Sequence, residues 1–342
     1  MGTKHTVEFS YLDESSYAKK LALCKTYIHI QFIEFDRFDM LHTRRRFLQG
    51  TSASIIATGL PNTGYSRTIM GDMTVHSVSD GSLTLPGEFT FGPMPQDELE
   101  PILKKYNQSS ETLTPPCNVT LLQNGDRNVL FDVGSGPNFS PNSGVLIESL
   151  DALGLTPNDI TDIVFTHAHP DHLWGLLDDF DDPLFPEASY MIGKAEWDYW
   201  MDPNTVSTIG ERLTSFAVGA ERRLASIADQ ISFIEDGQEV MPGVAAHASF
   251  GHTPGHMSYE IHAGSESVMV IGDSIVNHHV AFERPKWPSG SDQDRDLAAQ
   301  TRVRLLDKLA LEKTKIIGYH LDVNGIGYVE RNGDAYKFIS EV

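Results

Sequence analysis

Three imidazoles and a carboxylate fall within seven residues of this chain, Thr166-His167-Ala168-His169-Pro170-Asp171-His172, and His252, Asp273 and His320 follow at wide spacing. Side chains of these types are ligands for divalent cations. His167 and His169 reach one cation, and Asp171 and His172 point to a second a few ångströms away. A mixed nitrogen and oxygen set of this kind suits a borderline ion such as zinc. Two cations so close need a shared carboxylate, which Asp273 can provide. A bridged pair lowers the pKa of a shared water toward neutrality, so a metal-bridging hydroxide is the expected nucleophile. Asp171 and Asp273 are the candidate catalytic groups for passing the proton to the leaving group, and the sequence does not choose between them.

Each ligand follows an apolar run that reads as a buried strand. Ile163-Val164-Phe165 precedes the histidine cluster, Ser267 to Gly272 precedes Asp273, and Ile316 to Tyr319 precedes His320. His252 sits in the turn-rich Gly251-His252-Thr253-Pro254-Gly255-His256 after the strand-like segment Val244 to Ser249. Gly71 to Leu85 alternates around Asp80-Gly81, and a second alternating pair flanks Asn124-Gly125; both read as hairpins. Helical patterns occupy Ser143 to Leu153, Lys194 to Trp200, Glu211 to Ala228 and Asp294 to Leu311, with a short helix at Asp97 to Tyr106.

This order of ligands resembles the metallo-β-lactamase superfamily, whose pattern is HxHxDH followed by a distant His, an Asp and a His. The resemblance runs from about residue 72 onward. It implies an α+β, four-layer αββα sandwich with the site at one edge of the two sheets. It also implies two divalent ions, most often Zn2+, with His167, His169 and His252 on one, Asp171, His172 and His320 on the other, and Asp273 between them. Asp132 matches the family's outer aspartate, which holds a ligand loop by hydrogen bonds. His256 is expected to brace the His252 loop.

The N-terminal part divides differently. Thr43-Arg44-Arg45-Arg46-Phe47-Leu48-Gln49 resembles a twin-arginine export signal, and Gly50 to Leu60 supplies the weakly apolar stretch expected after it. We therefore expect 1–39 to be an upstream extension before an initiator at Met40, 40–67 a signal segment, and 68–342 the catalytic domain. The expected location is periplasmic or secreted, with no stable membrane anchor once the signal is removed, because no run reaches the ~20 apolar residues of a span. Only Cys24 and Cys117 are present, so no disulfide framework is expected; Cys117 reads as a small buried hydrophobe.

The formal charge of the whole chain is −21, and residues 68–342, with 17 Lys and Arg against 41 Asp and Glu, stand at −24. So acidic a surface excludes nucleic-acid partners, whose binding rests on cations neutralising phosphates. It favours small neutral substrates: lactones, aryl esters or phosphotriesters. The resemblance is closest to the methyl parathion hydrolase-like and lactonase branch. Many acyl-homoserine lactonases carry Tyr three residues after the bridging Asp, where this chain has Val276. The chain stops 22 residues after His320, without the C-terminal helical region of hydroxyacylglutathione hydrolases, so that subfamily is disfavoured.

Phe89, Phe91, Trp174 and His278 are the candidate substrate-pocket residues, ahead of Trp197, Phe282, Trp287 and His279. Residues 86–116 form a segment long enough to cover the site. Homodimerisation through Phe89 to Leu113 follows from the resemblance alone. The competing functions are β-lactam hydrolysis, with Arg284 and Lys286 gripping the substrate carboxylate, and mono-iron persulfide dioxygenation. A non-enzymatic binding role would go with lost ligands, and all seven are present.

Overall fold

The computed structural model describes residues 66–341. The expected extension 1–39, with Cys24, lies outside the described residues, as does all of the signal segment 40–67 except Ser66 and Arg67. Those two residues open the first strand, so the sheet begins slightly before the expected boundary at 68.

In chain order the strands are β1 (Ser66–Met70), β2 (Met73–Ser82), β3 (Leu85–Pro86), β4 (Thr112–Leu113), β5 (Pro116–Asn124), β6 (Arg127–Phe131), β7 (Asp162–Phe165), β8 (Ser189–Gly193) and β9 (Ile231–Ile234). They continue with β10 (Glu239–Met241), β11 (Val244–Ala248), β12 (Met257–Ala263), β13 (Glu266–Val270), β14 (Lys315–Ile317), β15 (Ile326–Asn332) and β16 (Ala335–Ser340). One seven-stranded sheet runs β1-β2-β5-β6-β7-β8-β9 and the other runs β10 to β16 in sequence order; β3 and β4 pair separately. The β6 to β9 block and the β13–β14 pair are parallel.

Alternation along the strands sets the layers. On β6 and β7, Val129, Phe131 and Val164 face the second sheet and meet Tyr259, Ile261 and Val268 in one core. Leu130, Ile163 and Phe165 face the other way, into a core shared with helices Leu146–Asp151, Lys194–Met201 and Thr214–Ser226. In the second sheet Met269 and Ile316 point outward to helix Arg295–Glu312. Both sheets are thus buried on both faces in their centres, and their strands read as continuous apolar runs. The result is the expected αββα sandwich.

The Asn124-Gly125 hairpin joins β5 to β6, with Asn124 paired to Arg127. The hairpin expected at Asp80-Gly81 does not form. The turn lies at Gly71-Asp72, where Met70 pairs with Met73, and β2 runs on through Asp80 with an irregularity in register before Ser82. Asp80 instead anchors the segment after β6. Its carboxylate accepts from the Ser135 N–H and hydroxyl and from the Leu146 N–H at 2.8 to 3.0 Å. Gly81 lies so close to Asn142 that a Cβ would stand 2.1 Å from its carbonyl oxygen.

Burial pushes the Asp80 carboxyl up to about 6, against its hydrogen bonds to Ser135 and Leu146. A carboxyl whose folded-state pKa is raised adds stability below its unfolded value that is lost as pH rises through the folded one. Between pH 3 and 7 the stability of the native chain relative to Asp80→Asn is expected to fall by about 3 kcal/mol, from a displacement of about two pH units. Urea titrations of both proteins across that range measure it; a constant difference would show that Asp80 is not held in this way.

Candidate metal centre

The seven ligand candidates converge where β7, β13, β14 and the β11–β12 connection end. Thr166 to His172 leave β7, Asp273 follows β13 across Gly272, and His320 follows β14. His252 is carried by the β11–β12 loop. His167, His169 and His252 form one set able to hold a cation, and Asp171, His172, Asp273 and His320 form a second. Asp273 links them: its Oδ2 lies 3.3 Å from both His252 Nε2 and His320 Nε2, and its Oδ1 lies 3.3 Å from His172 Nε2. Ligand atoms in a tetrahedral zinc shell stand about 3.4 Å apart.

The donor atoms themselves argue for cations. His167 Nε2, Asp171 Oδ2, His172 Nε2 and Asp273 Oδ1 are buried and have no hydrogen-bond partner. Stranding four such atoms in one place costs several kcal/mol unless something satisfies them. Two divalent ions would satisfy all of them at once.

His167, His172, His252 and His320 are each held from behind through Nδ1, which turns Nε2 inward, while His169 Nδ1 lies 2.9 Å from His252 Nε2. Asp132 accepts from His172 Nδ1 at 2.8 Å and from both the N–H and the hydroxyl of Thr166 at 2.7 Å. Those bonds sustain a left-handed backbone at Asp132, φ 69°, which costs about 1–2 kcal/mol at a residue with a side chain. The Thr166 hydroxyl lies 3.0 Å from His167 Nδ1, and His320 Nδ1 bonds the Pro116 carbonyl at 2.8 Å. Tyr319 packs on His172, their ring centres 3.8 Å apart and their planes tilted by 31°, and donates its hydroxyl to the Asp171 carbonyl. His256 accepts the Asp273 N–H on Nε2 at 2.9 Å and meets the Ser249 hydroxyl through Nδ1. Gly272 makes that approach possible: its φ is 49° and a Cβ there would lie 2.7 Å from His256 Nε2.

Electrostatics divide the histidines by their distance from carboxylates, not by cation set. Burial holds His167 and His169 well below the ordinary histidine value, helped by neighbouring imidazoles. Burial also opposes charge on His172 and His320, but the surrounding carboxylates, Asp273 foremost, hold both well above it. His252 is likewise held up at about 9, against burial, by Asp273 and Asp292. Burial would raise Asp171 and Asp273, yet His172 and His320 keep both carboxyls well below the usual range. The carboxylates thus stay charged and demand positive charge beside them, as protons or as cations.

The cluster forms the floor of a cavity of about 240 Å³. Of the candidate pocket residues, Phe89, Phe91 and His278 line it, together with Leu83, Leu85, Phe139, Phe216, Asn277 and His279. Trp174 does not reach it. It lies behind Phe139, ring centres 5.2 Å apart, with the Arg223 guanidinium 4.4 Å above its ring, because Gly219 leaves room for the indole on the helix side. Phe282 is consumed by the core beneath the second sheet, and Trp197 packs against Phe233. Phe139 and Phe216 carried no signal in the sequence, because an aromatic side chain in a loop or on a helix is normally core.

The sequence also gave no sign of the charged support behind His252. Asp292 accepts from His252 Nδ1 at 3.0 Å and from Arg302 at 2.7 Å, and both Asp292 and Arg302 are almost fully buried. Arg302 further donates to the carbonyls of Pro285 and Trp287.

Fold and site together define a metal-dependent enzyme of the two-cation type built on an αββα sandwich. Residues 114–320 match the model of the metallo-beta-lactamase superfamily, and the chain belongs to that superfamily. No curated protein matches it in sequence. Among solved structures it is similar to AidC, a dizinc quorum-quenching lactonase in complex with the product N-hexanoyl-L-homoserine, at 27% identity and TM-score 0.76 over 82% of this chain and 98% of that one. It is equally similar to AbOPH, a hydrolase in the beta-lactamase superfamily, at 27% identity and TM-score 0.76 over the same shares. A probable metal-dependent hydrolase from Staphylococcus aureus shares the fold at 22% identity and TM-score 0.64, over 80% of this chain and 100% of that one.

Asp292→Ala strands the Arg302 guanidinium in the interior and takes the acceptor from His252. Its expected cost is about 3–5 kcal/mol of stability, read from urea unfolding of the metal-loaded protein. A loss below 1 kcal/mol would mean that the buried pair carries none of the load assigned to it.

Proposed function

We propose that this protein is a hydrolase that uses two divalent ions to open lactones or cleave esters of small neutral substrates with an apolar tail. The observation that carries the reading is the union of the cation cluster with a cavity whose lining contains aromatic and aliphatic side chains, histidines and carboxylates but, among the described residues, no Lys or Arg. The likeness to AidC, itself a lactonase, supports the same substrate class.

When bound, the two ions supply an activated water and polarise the substrate oxygen. The chain does the rest. Phe91, Phe139 and Phe216 give the tail a dry wall and hold the carbonyl over the cluster. Asp171 turns Oδ2 toward His320 and His172, at 3.1 and 3.4 Å, and reaches the cavity. We assign its other oxygen to carry the proton toward the leaving alkoxide, because Asp273 has both oxygens engaged by the two histidine sets. Val276 lines the cavity where many lactonases place a Tyr, so no phenol assists the substrate oxygen from that position.

A β-lactam carries a carboxylate, and among the described residues no Lys or Arg lines this cavity to grip it. Arg284, expected to grip it, stacks on Trp287 instead, beside Glu98. The twin-arginine-like segment supports export and metal loading before it.

The test is a pH-stat rate panel on the full chain loaded with Zn2+, covering acyl-homoserine lactones, unsubstituted lactones, aryl esters, methyl paraoxon and a cephalosporin. Chelator-sensitive hydrolysis of a lactone or ester, reduced at least a thousandfold in Asp273→Ala, is expected. Turnover of the cephalosporin alone would overturn the reading, as would one iron per chain with oxygen uptake on a persulfide. On the active lactone series, Phe139→Ala is expected to lower kcat/KM for long acyl chains roughly 5- to 30-fold, the equivalent of about 1–2 kcal/mol of lost apolar contact. Unsubstituted lactones should be spared; an equal loss on both would place the tail elsewhere.

A further inference from the structure

Glu196 is a fully buried carboxylate that the proposed chemistry does not use. It stands in the first turn of helix Lys194–Met201, directly after β8. Its Oε1 accepts from the Ala168 N–H at 2.9 Å and from Trp200 Nε1–H at 2.6 Å. Its Oε2 accepts from the Thr253 hydroxyl at 2.7 Å and from the Gly255 N–H at 3.0 Å. Four donors thus converge on one side chain, and three of them belong to two loops separated by about eighty residues of sequence.

Those two loops carry the three histidines of one cation set. Ala168 lies between His167 and His169, and Thr253 follows His252. Gly255 must come close for the clasp to close: a Cβ there would stand 2.0 Å from the Glu196 nitrogen. Glu196 touches neither support of the second set's histidines: Asp132, which also holds Thr166, stands behind His172, and the Pro116 carbonyl behind His320.

We propose that Glu196 is the positioning residue of the three-histidine cation site, clasping the His167–His169 loop to the His252 loop so that their imidazoles converge on one ion. The inference rests on the two-cation reading of the cluster. An ionised carboxylate is an acceptor at both oxygens, which is what four donors require. Glutamine keeps the shape but turns an amide NH2 toward two of them, so one loop is left with an unanswered donor and must move. Removing a group that orients metal ligands costs about 10- to 100-fold in metal affinity.

The experiment is a titration of metal-stripped full-length protein with Zn2+ in a competing chelator, for native chain, Glu196→Gln and Thr253→Val, paired with the d–d spectrum of Co2+-loaded samples. The native chain should take two ions. In Glu196→Gln one ion is expected to bind as in the native chain and the other 10- to 100-fold more weakly, with loss of the Co2+ band of the three-nitrogen site. Thr253→Val removes one of the four donors without stranding a charge and should weaken the same ion by a smaller factor.

Two ions bound with native affinity in Glu196→Gln would overturn the proposal. Equal weakening of both ions would also overturn it, because that is what general loosening of the fold produces. If Glu196→Gln does not fold, Thr253→Val decides in the same terms. A native chain that binds a single ion would instead defeat the two-cation reading.

Discussion

Buried ligand atoms that face one another with no partner of their own are the constraint on which this structure depends. His167 Nε2, His172 Nε2, Asp171 Oδ2 and Asp273 Oδ1 sit within a few ångströms, shielded from water. Nothing about their own chemistry keeps them there. Imidazoles would rotate to solvent and carboxylates would spread apart unless each were tied on its far side. The ties are distributed: Asp132 and Tyr319 on His172, Thr166 on His167, Asp292 on His252 and a main-chain carbonyl on His320. Most are themselves buried polar groups, so the demand for partners propagates outward until it ends in backbone N–H and C=O groups or in Arg302.

Such a network needs a rigid frame, and the sheets supply it. Strands packed on both faces cannot slip by one residue without exchanging side chains of different volume between two close-packed cores. β7 has Ile163 and Phe165 locked into the helix-side core and Val164 into the inter-sheet core. The residue that follows is therefore delivered in a fixed orientation, and Thr166 meets Asp132 at the end of the neighbouring parallel strand β6. β13 and β14 repeat the arrangement on the opposite sheet, which brings Asp273 and His320 to the same edge.

This accounts for what could be read from the sequence. Ligands at strand exits are legible because an apolar run ending in His or Asp is a local pattern, and the αββα layers follow from alternating strand and helix periods. Asp80 is illegible for a related reason: Asp-Gly in an alternating segment is a turn signal, and only the later Ser135 and Leu146 N–H groups show that the carboxylate is needed as an acceptor inside a continuous strand. Glu196, Asp292 and Arg302 were not visible at all. Each is a charged residue on or near a helix, the commonest kind of surface residue, and each is made interior by partners far along the chain. Trp174 shows the converse: adjacency to the ligand motif suggested a substrate wall, while a glycine on a distant helix drew the indole behind that wall.

The charge of the chain acts at a longer range than any of these contacts. Residues 68–342 carry a net −24, while the cavity floor gathers histidines and would gather cations. A neutral ester or lactone crosses the surrounding negative potential without cost. The carboxylate that its hydrolysis produces does not share that neutrality, and the same potential drives it outward once it leaves the cluster. A substrate that is already anionic would meet that field on entry and find, among the described residues, no Lys or Arg lining the cavity to receive it. Surface charge and cavity lining thus select in the same direction, by different physics and over different distances, and both favour the neutral substrates of the proposed lactonase or esterase activity.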